Sequence, residues 1–371
     1  MRVTATLVDA RSGVRLWSER YDRPVTDIFD IQDAIAHAIA NALALTLGPP
    51  PLSPTGRGQS LPAYYAVLQG RHYLYRLTPE SLTQSKLCFE RAIALDPTLV
   101  MAHLGLSEYF FTIGNISGQS EPLPRARDSA YRALELEPCS PQAHALLGMI
   151  ASTYDFNWQL VEREFRLALA TEPVPPFVSD VYGAFYLLQI GRVEEGGLQI
   201  ERALRCDPLN LMFRTQYGIF LLATEQDEHA TALFLQVIES DPTYPLSCVW
   251  LSITYALRGQ VAEARHYAER AHALVSSPLF LGTLAGIARR QGDHARSDDL
   301  IRSLHDRDQP GHSIGFALYH LMCLELELAL QRFEEAIVRR DGRAMLPVLF
   351  RRCCATHRRW AAAANAMNLQ G

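Results

Sequence analysis

Five pairs of an acidic residue directly before proline fall nearly in step along this chain: Asp96-Pro97, Glu137-Pro138, Glu172-Pro173, Asp207-Pro208 and Asp241-Pro242. The prolines are separated by 41, 35, 35 and 34 residues, and Ser277-Pro278 follows after a further 36. The residue before a proline is pushed out of the α region, so each pair marks the end of a helix. Five residues ahead of the five prolines stand Ala92, Ala133, Ala168, Ala203 and Val237. Within one unit, Leu147 and Ala151 lie four apart, and Val161, Phe165 and Ala168 follow at four and three, giving two apolar helical faces around a short break. Such a helix-turn-helix unit contacts only its neighbours in a stack, so the repeat, rather than a single central core, dictates the fold.

The pattern resembles the tetratricopeptide repeat, whose period is near 34 residues. The family's small eighth position falls on Gly148, Gly183, Gly218 and Ser252, and its large twenty-fourth position on Phe89, Phe165, Ile200 and Phe234. The resemblance implies a mainly α fold, a tetratricopeptide-repeat helical solenoid of about seven to eight helix pairs. The repeats proper are expected over 61–278. The first unit spans about 61–97, with Thr78-Pro79-Glu80 supplying an N-cap and an N1 proline for its second helix. The second carries an insertion around 114–124, which accounts for the long interval, and the third to fifth are the most regular. The sixth keeps Leu251, Ser252, Tyr255, Ala264 and Ala271. Residues 279–371 read as degenerate repeats and a C-terminal cap, with helices over 279–291, 295–305, 314–323 and 326–340 and an Arg-rich end over 350–369.

The N-terminal residues follow a different period. Val3, Ala5 and Leu7 alternate with Arg2, Thr4 and Thr6, Gly13 closes a turn, and a second strand runs on to Tyr21, which predicts a β-hairpin. Ile28, Ile31, Ile35, Ile39, Leu43 and Leu47 then mark an amphipathic helix, with Asp27, Asp30 and Asp33 at its positive end. A hairpin and one helix are too little for a domain, and the open strand edge makes self-association an expectation. Residues 2–22 followed by 27–33 resemble the closing hairpin and helix of the TolB-like (FlgO-like) α/β domain. That domain precedes tetratricopeptide arrays in bacterial signalling proteins, which resemble either class III adenylate cyclases with appended repeats or winged-helix regulators of the CadC type. Arg358-Arg359-Trp360 is similar to the end of the same proteins. The resemblance implies a truncated TolB-like remnant over 1–47, a Pro/Gly linker over 48–60, and an effector domain upstream of Met1.

The rest of the chain narrows the chemistry. Hydrophobic residues make up 48% and charged residues 20%, the balance of a folded protein, and the net charge of −5 gives no electrostatic footprint for nucleic acid. Cys88, Cys139, Cys206, Cys248, Cys323, Cys353 and Cys354 form no Cys-x-x-Cys pair and suit a reducing cytoplasm, and no apolar run is long enough to span a membrane. Phosphate-loop, dinucleotide, zinc-protease and serine-hydrolase spacings are all missing; Gly56-Arg57-Gly58 has no strand before it. His266 and His272 are six apart, on different faces of one helix, and read as exposed polar residues; His103 and His144 read as packing or rim residues. Arg351, Arg352, Arg358 and Arg359 read as a solvated basic face at a helix end. No catalytic residue, metal site or cofactor is therefore expected.

What remains is the concave face. In the family it is lined by the second, fifth, ninth and twelfth positions of each first helix. These fall on Met101, Leu104, Glu108 and Phe111; on Gln142, Ala145, Met149 and Ser152; on Phe177, Asp180, Ala184 and Leu187; on Met212, Thr215, Ile219 and Leu222; and on Leu246, Val249, Ile253 and Ala256. The surface is mainly apolar, with adaptable methionines, and lacks the Lys and Asn that clamp a C-terminal carboxylate in some related repeats. The expected function is a non-catalytic scaffold of a bacterial signalling protein that binds a protein partner's peptide or helix in this groove. Neither nucleic acid binding nor membrane insertion is expected of this chain. The alternative is the regulatory C-terminal part of a cyclase or of a winged-helix regulator.

Overall fold

The computed structural model describes residues 2–8, 15–22, 60–117, 121–305, 311–340 and 346–369. They belong to two units, Met1–Gly58 and Gln59–Gly371. In the first, β1 (Arg2–Val8) and β2 (Arg15–Asp22) pair antiparallel, with Arg2 opposite Asp22, Thr6 opposite Ser18 and an irregularity between Leu7 and Val8. The helix expected over 27–47 and the linker up to residue 59 lie outside the described residues.

The second unit is a helical solenoid built from antiparallel pairs. The first pair is α1 (Leu61–Leu74) and α2 (Pro79–Leu95), the second α3 (Val100–Ser117) and α4 (Pro122–Leu136). The third is α5 (Pro141–Ile150) with α6 (Trp158–Ala168), and the fourth α7 (Pro176–Tyr182) with α8 (Val193–Cys206); α5 and α7 each end in a π turn. There follow α9 (Leu211–Ala223) with α10 (Asp227–Ser240), α11 (Pro245–Leu257) with α12 (Val261–Leu274), and α13 (Pro278–Arg290) with α14 (His294–His305). The eighth pair is α15 (His312–Met322) with α16 (Leu326–Val338), and a short last pair, α17 (Leu346–Cys354) and α18 (Trp360–Ala366), closes the chain.

The Asp-Pro punctuation has a local cause. Asp96 Oδ1 accepts from the Thr98 N–H (3.0 Å) and hydroxyl (2.7 Å), and Asp241 does the same with Thr243 (2.8 and 2.7 Å). The side chain thus satisfies the turn that proline has forced open. The third repeat departs from the rule: α6 stops at Ala168, well before Glu172, because the Ala170 N–H turns back to Leu167 O (3.2 Å). Extra residues in the second repeat lengthen α3 to 18 residues. Thr78 caps α2 by accepting from the Ser81 N–H (3.3 Å), with Pro79 at its first position.

Within pairs, small residues sit against large ones. A Cβ on Gly148 would lie 2.9 Å from the Phe165 ring, and one on Gly218 2.4 Å from the Phe234 ring. Phe89 fills the space between two glycines, Gly70 and Gly105, and so joins the first repeat to the second. Phe89, Phe165, Phe234 and Ile200 are completely buried. Each such ring removes 150–250 Å² from water, about 3–5 kcal/mol against truncation to alanine.

Two long-range features shape the stack. First, the solenoid closes on itself: the apolar core of the first pair, including Ala63, Val67, Leu74 and Leu82, also contains Val237 and Tyr244, with Leu211 and Leu246 packed against it. Second, the last pair folds back inside. Arg351 donates from Nη1 to Leu188 O (2.9 Å) and from Nη2 to Gln189 O (2.6 Å). Arg352 donates from Nη1 to Leu222 O (2.6 Å) and grips both carboxylate oxygens of Asp227 at 2.7 and 2.9 Å. The Trp158 indole donates to Met367 O (2.7 Å), and the Asn368 amide to Phe156 O (3.0 Å).

The expected solvated basic face is therefore corrected for Arg351 and Arg352. Their helix is apolar on all sides but theirs, so it is buried, and its guanidiniums take up carbonyls that helix ends leave unpaired. Arg358 does stay in solvent, with its side chain 86% exposed. Arg352→Ala is expected to cost about 2–3 kcal/mol, because it strands a mostly buried carboxylate. A double-mutant cycle with Asp227→Ala, read by urea denaturation, checks this: the double variant should cost clearly less than the two single losses together.

Candidate functional site

The first helices of the pairs face inward, and their side chains converge on one cavity of about 200 Å³ that opens to solvent. Its wall draws on the first repeat (Leu74, Tyr75, Leu77) through to the seventh (Leu279, Phe280), and Leu346 of α17 reaches it from the folded-back C-terminus. The superhelical closure thus narrows the concave face to a partly open cavity.

Of the residues expected on the groove, Glu108, Phe111, Met149, Phe177, Met212, Thr215, Ile219, Leu246, Val249 and Ile253 line the cavity together. Met101, Leu104, Gln142, Ala145, Asp180 and Ala184 are not in its wall, nor are the buried Ser152, Leu187, Leu222 and Ala256. Leu104, Ala145, Asp180 and Ala184 are buried, while Met101 and Gln142 are half-buried. Tyr75, Tyr244, Gln216 and Trp250 line the cavity without having been expected. Tyr75 caps α1 in a turn, which no repeat position marks. Tyr244 had a signal: it stands where Leu99 stands after the first Asp-Pro-Thr, and both are buried.

The wall is apolar except for a small set of polar groups. Glu108 lies 3.8 Å from the Arg71 guanidinium, and burial raises its carboxyl above the usual range. Outside the wall, Asp180 stands one turn along α7 from Phe177, is completely buried, and has its carboxyl pushed well up by burial. Neither Asp180 oxygen has a hydrogen-bond partner among the described residues, nor has Oε1 of Gln216. The Tyr75 hydroxyl is raised by burial first, then by Glu108 and, more weakly, Asp180; that of Tyr244 is raised by burial first, with smaller contributions from Tyr75 and Asp180. Thr215 bridges the wall, accepting or donating with the Ser247 hydroxyl at 2.8 Å.

Other candidate groups are placed plainly. His103 and His144 are buried, their Nε2 atoms 2.9 and 3.4 Å from Pro97 O and Pro138 O, and His144 Nδ1 is 2.7 Å from Glu164 Oε2. They tie each pair to the preceding turn. Burial raises the thiol of Cys353 to about 11 and that of Cys354 to about 12, which makes both poor nucleophiles. Among the described residues no group of three or more His, Cys, Asp or Glu converges as a metal site, and no helix is long and apolar enough to cross a membrane.

No family model matches the chain. Over 158 residues it is 31% identical to the putative adenylate cyclase 3 of Rhizobium meliloti, covering 41% of this chain and 27% of that protein. Over 151 residues it is 26% identical to the transcriptional regulator HilA of Salmonella typhimurium, covering 40% of this chain and 27% of that protein. The match thus spans about a quarter of the length of these curated relatives. Among solved structures, the human IFIT1 dimer with m7Gppp-AAAA superposes with a TM-score of 0.56 at 14% identity, over 91% of this chain and 79% of that one. At that identity the likeness concerns the fold alone.

Proposed function

We propose that this chain is a non-catalytic regulatory module of a bacterial signalling protein, and that its inner wall binds an apolar segment of a protein partner. The observation that carries the reading is the convergence of first-helix apolar side chains, from the first repeat to the seventh, on one partly open cavity. An α-helix with side chains is about 10–12 Å across. With the first repeat lying against Tyr244, the wall suits an extended segment better than a helix. The partial identity to a putative cyclase and to a transcriptional regulator supports an array shared by proteins with different outputs. In this reading the β1–β2 hairpin is the closing part of a TolB-like domain, and catalysis or DNA binding belongs to other parts of the full protein. A nucleotide ligand of the kind seen with IFIT1 is not proposed, since its phosphates would meet an apolar wall and the Glu108 carboxylate.

Ile219 and Ile253 are 3% and 1% exposed, so charges there would test folding rather than binding. Met212 and Leu246, half-buried on the same wall, test the surface itself. Partner recovered from the source cell with the tagged chain should fall about tenfold for Met212→Asp and Leu246→Asp. It should be unchanged for Leu198→Asp, whose side chain is 61% exposed on the outer helix α8. Loss with Leu198→Asp and retention with the other two would move the interface to the outer face. Nucleotidyl cyclase activity in the purified chain would overturn the non-catalytic reading.

A further inference from the structure

Along α9, Met212, Thr215, Gln216 and Ile219 stand at i, i+3, i+4 and i+7, and all four lie in the cavity wall. Gln216 therefore sits midway along the face that this helix turns to the cavity. It is only 6% exposed, and among the described residues of the wall its Oε1 is the one buried polar side-chain atom with no hydrogen-bond partner. Other polar groups of the wall are engaged. Thr215 donates to Leu211 O (2.7 Å) and lies 2.8 Å from the Ser247 hydroxyl, Asn115 donates to Phe111 O (2.9 Å), and Glu108 lies 3.8 Å from the Arg71 guanidinium. A buried amide oxygen without a partner costs its full desolvation, so Gln216 is a position that a ligand would complete.

The size of the space limits what can complete it. A dry cavity of about 150 Å³ accepts one benzene molecule. The inner cavity, at about 200 Å³ and open to solvent, has room for one substituted ring while the chain that bears it stays in the mouth. We infer that the segment held by the inner wall is anchored by one tyrosine, whose ring fills the cavity and whose hydroxyl pairs with the Gln216 carboxamide. This rests on the reading that the inner wall is the binding surface. A phenol hydroxyl both donates and accepts, so it pairs with either end of the carboxamide, whose terminal torsion is broad. Phe177, Met212, Ile219 and Trp250 supply ring and thioether contacts that suit an aromatic body. Phenylalanine or leucine would fill the space and leave Gln216 unpaired. Lysine would find the Glu108 carboxylate already facing Arg71.

The test uses p-cresol, toluene and 3-methylindole, the side chains of tyrosine, phenylalanine and tryptophan without their backbone, titrated into the full chain by calorimetry. A Kd of about 1 mM or below is expected for p-cresol, and about tenfold weaker binding for toluene. Gln216→Leu should remove that preference by weakening p-cresol, while toluene, which needs no hydrogen bond, binds as before or better and reports a folded wall. The peptide Ac-Ala-Tyr-Ala-NH2 should bind at least as tightly as p-cresol, and Ac-Ala-Phe-Ala-NH2 about tenfold more weakly than its tyrosine counterpart. Equal affinities for p-cresol and toluene, tightest binding by 3-methylindole, or a preference that survives Gln216→Leu would overturn the tyrosine anchor and leave the apolar wall standing. Binding of p-cresol without binding of the tyrosine peptide would overturn it too, by making the cavity a site for a free phenol. If none of the probes binds, the inner wall is not a binding surface and both readings fall.

Discussion

Replacing Gly282 by alanine is expected to destabilise the array by about 3 kcal/mol or more, although it adds one methyl group. On α13 a Cβ at this position would lie 1.9 Å from the carbonyl oxygen of Gly315 on α15 and 2.6 Å from its carbonyl carbon. The obstacle is backbone, which has no rotamer to change. One turn along, Gly286 faces Tyr319 O at 2.6 Å, and from the other side Gly315 faces Pro278 O at 2.7 Å. The two helices therefore touch along their main chains and must part by more than an ångström to admit the methyl. Parting them unpacks Leu281, Leu284, Ile314 and Leu318, all now buried. Gly259→Ala is the control. It has nothing within 4 Å of the added carbon but a φ of +76°, so it should cost only the left-handed penalty of about 1–2 kcal/mol. Urea midpoints of the two variants measure the difference, and equal losses would show that the α13–α15 crossing can give way.

Asp180→Asn is expected to stabilise the protein, and by more as the pH rises. Burial pushes this carboxyl well up, so the folded chain holds its proton over a range where the unfolded chain has released it. Above the ordinary carboxylate value near 4 the unfolded state binds fewer protons. Stability of the natural protein therefore falls relative to the variant by about 1.4 kcal/mol per pH unit, until the folded pKa is reached. Below pH 4 both states are protonated and the advantage vanishes. The hydroxyls of Tyr75 and Tyr244, on which Asp180 acts, are present in both proteins, so comparing the two cancels their titration to first order. Urea denaturation of both proteins from pH 4 to 8 tests this; parallel curves would mean that Asp180 finds its charge compensated.

The local grammar of the array is legible in the residues. Gly148 with Phe165, Gly183 with Ile200 and Gly218 with Phe234 meet as their repeat positions imply, and Thr78-Pro79 opens a helix. What a period cannot carry is the sum of many small rotations. Whether the first pair comes round to Val237 and Tyr244 depends on every crossing between them, and that closure decides which groove positions stay open. It explains why Met212, Thr215 and Ile219 share a wall while Leu104, Ala145 and Ala184 are packed away. The Gly282–Gly315 crossing escaped for another reason: it sets small against small, where the repeat pattern looks for small against aromatic. The inward turn of α17 did leave a trace. Leu346, Val348, Leu349, Phe350 and Cys354 leave that helix no polar side except Arg351 and Arg352, and a helix apolar all round is a buried one.

Open repeat arrays tolerate duplication or loss of a unit, because each repeat answers only to its neighbours. Here both ends are keyed to the middle: the first pair to Tyr244, and the tail to Phe156 and Trp158. One inserted unit would carry the first pair past Tyr244 and leave Asp227 out of reach of Arg352. The number of repeats is thereby fixed by geometry, and such a chain can diversify by substitution on its inner wall but not by growing longer.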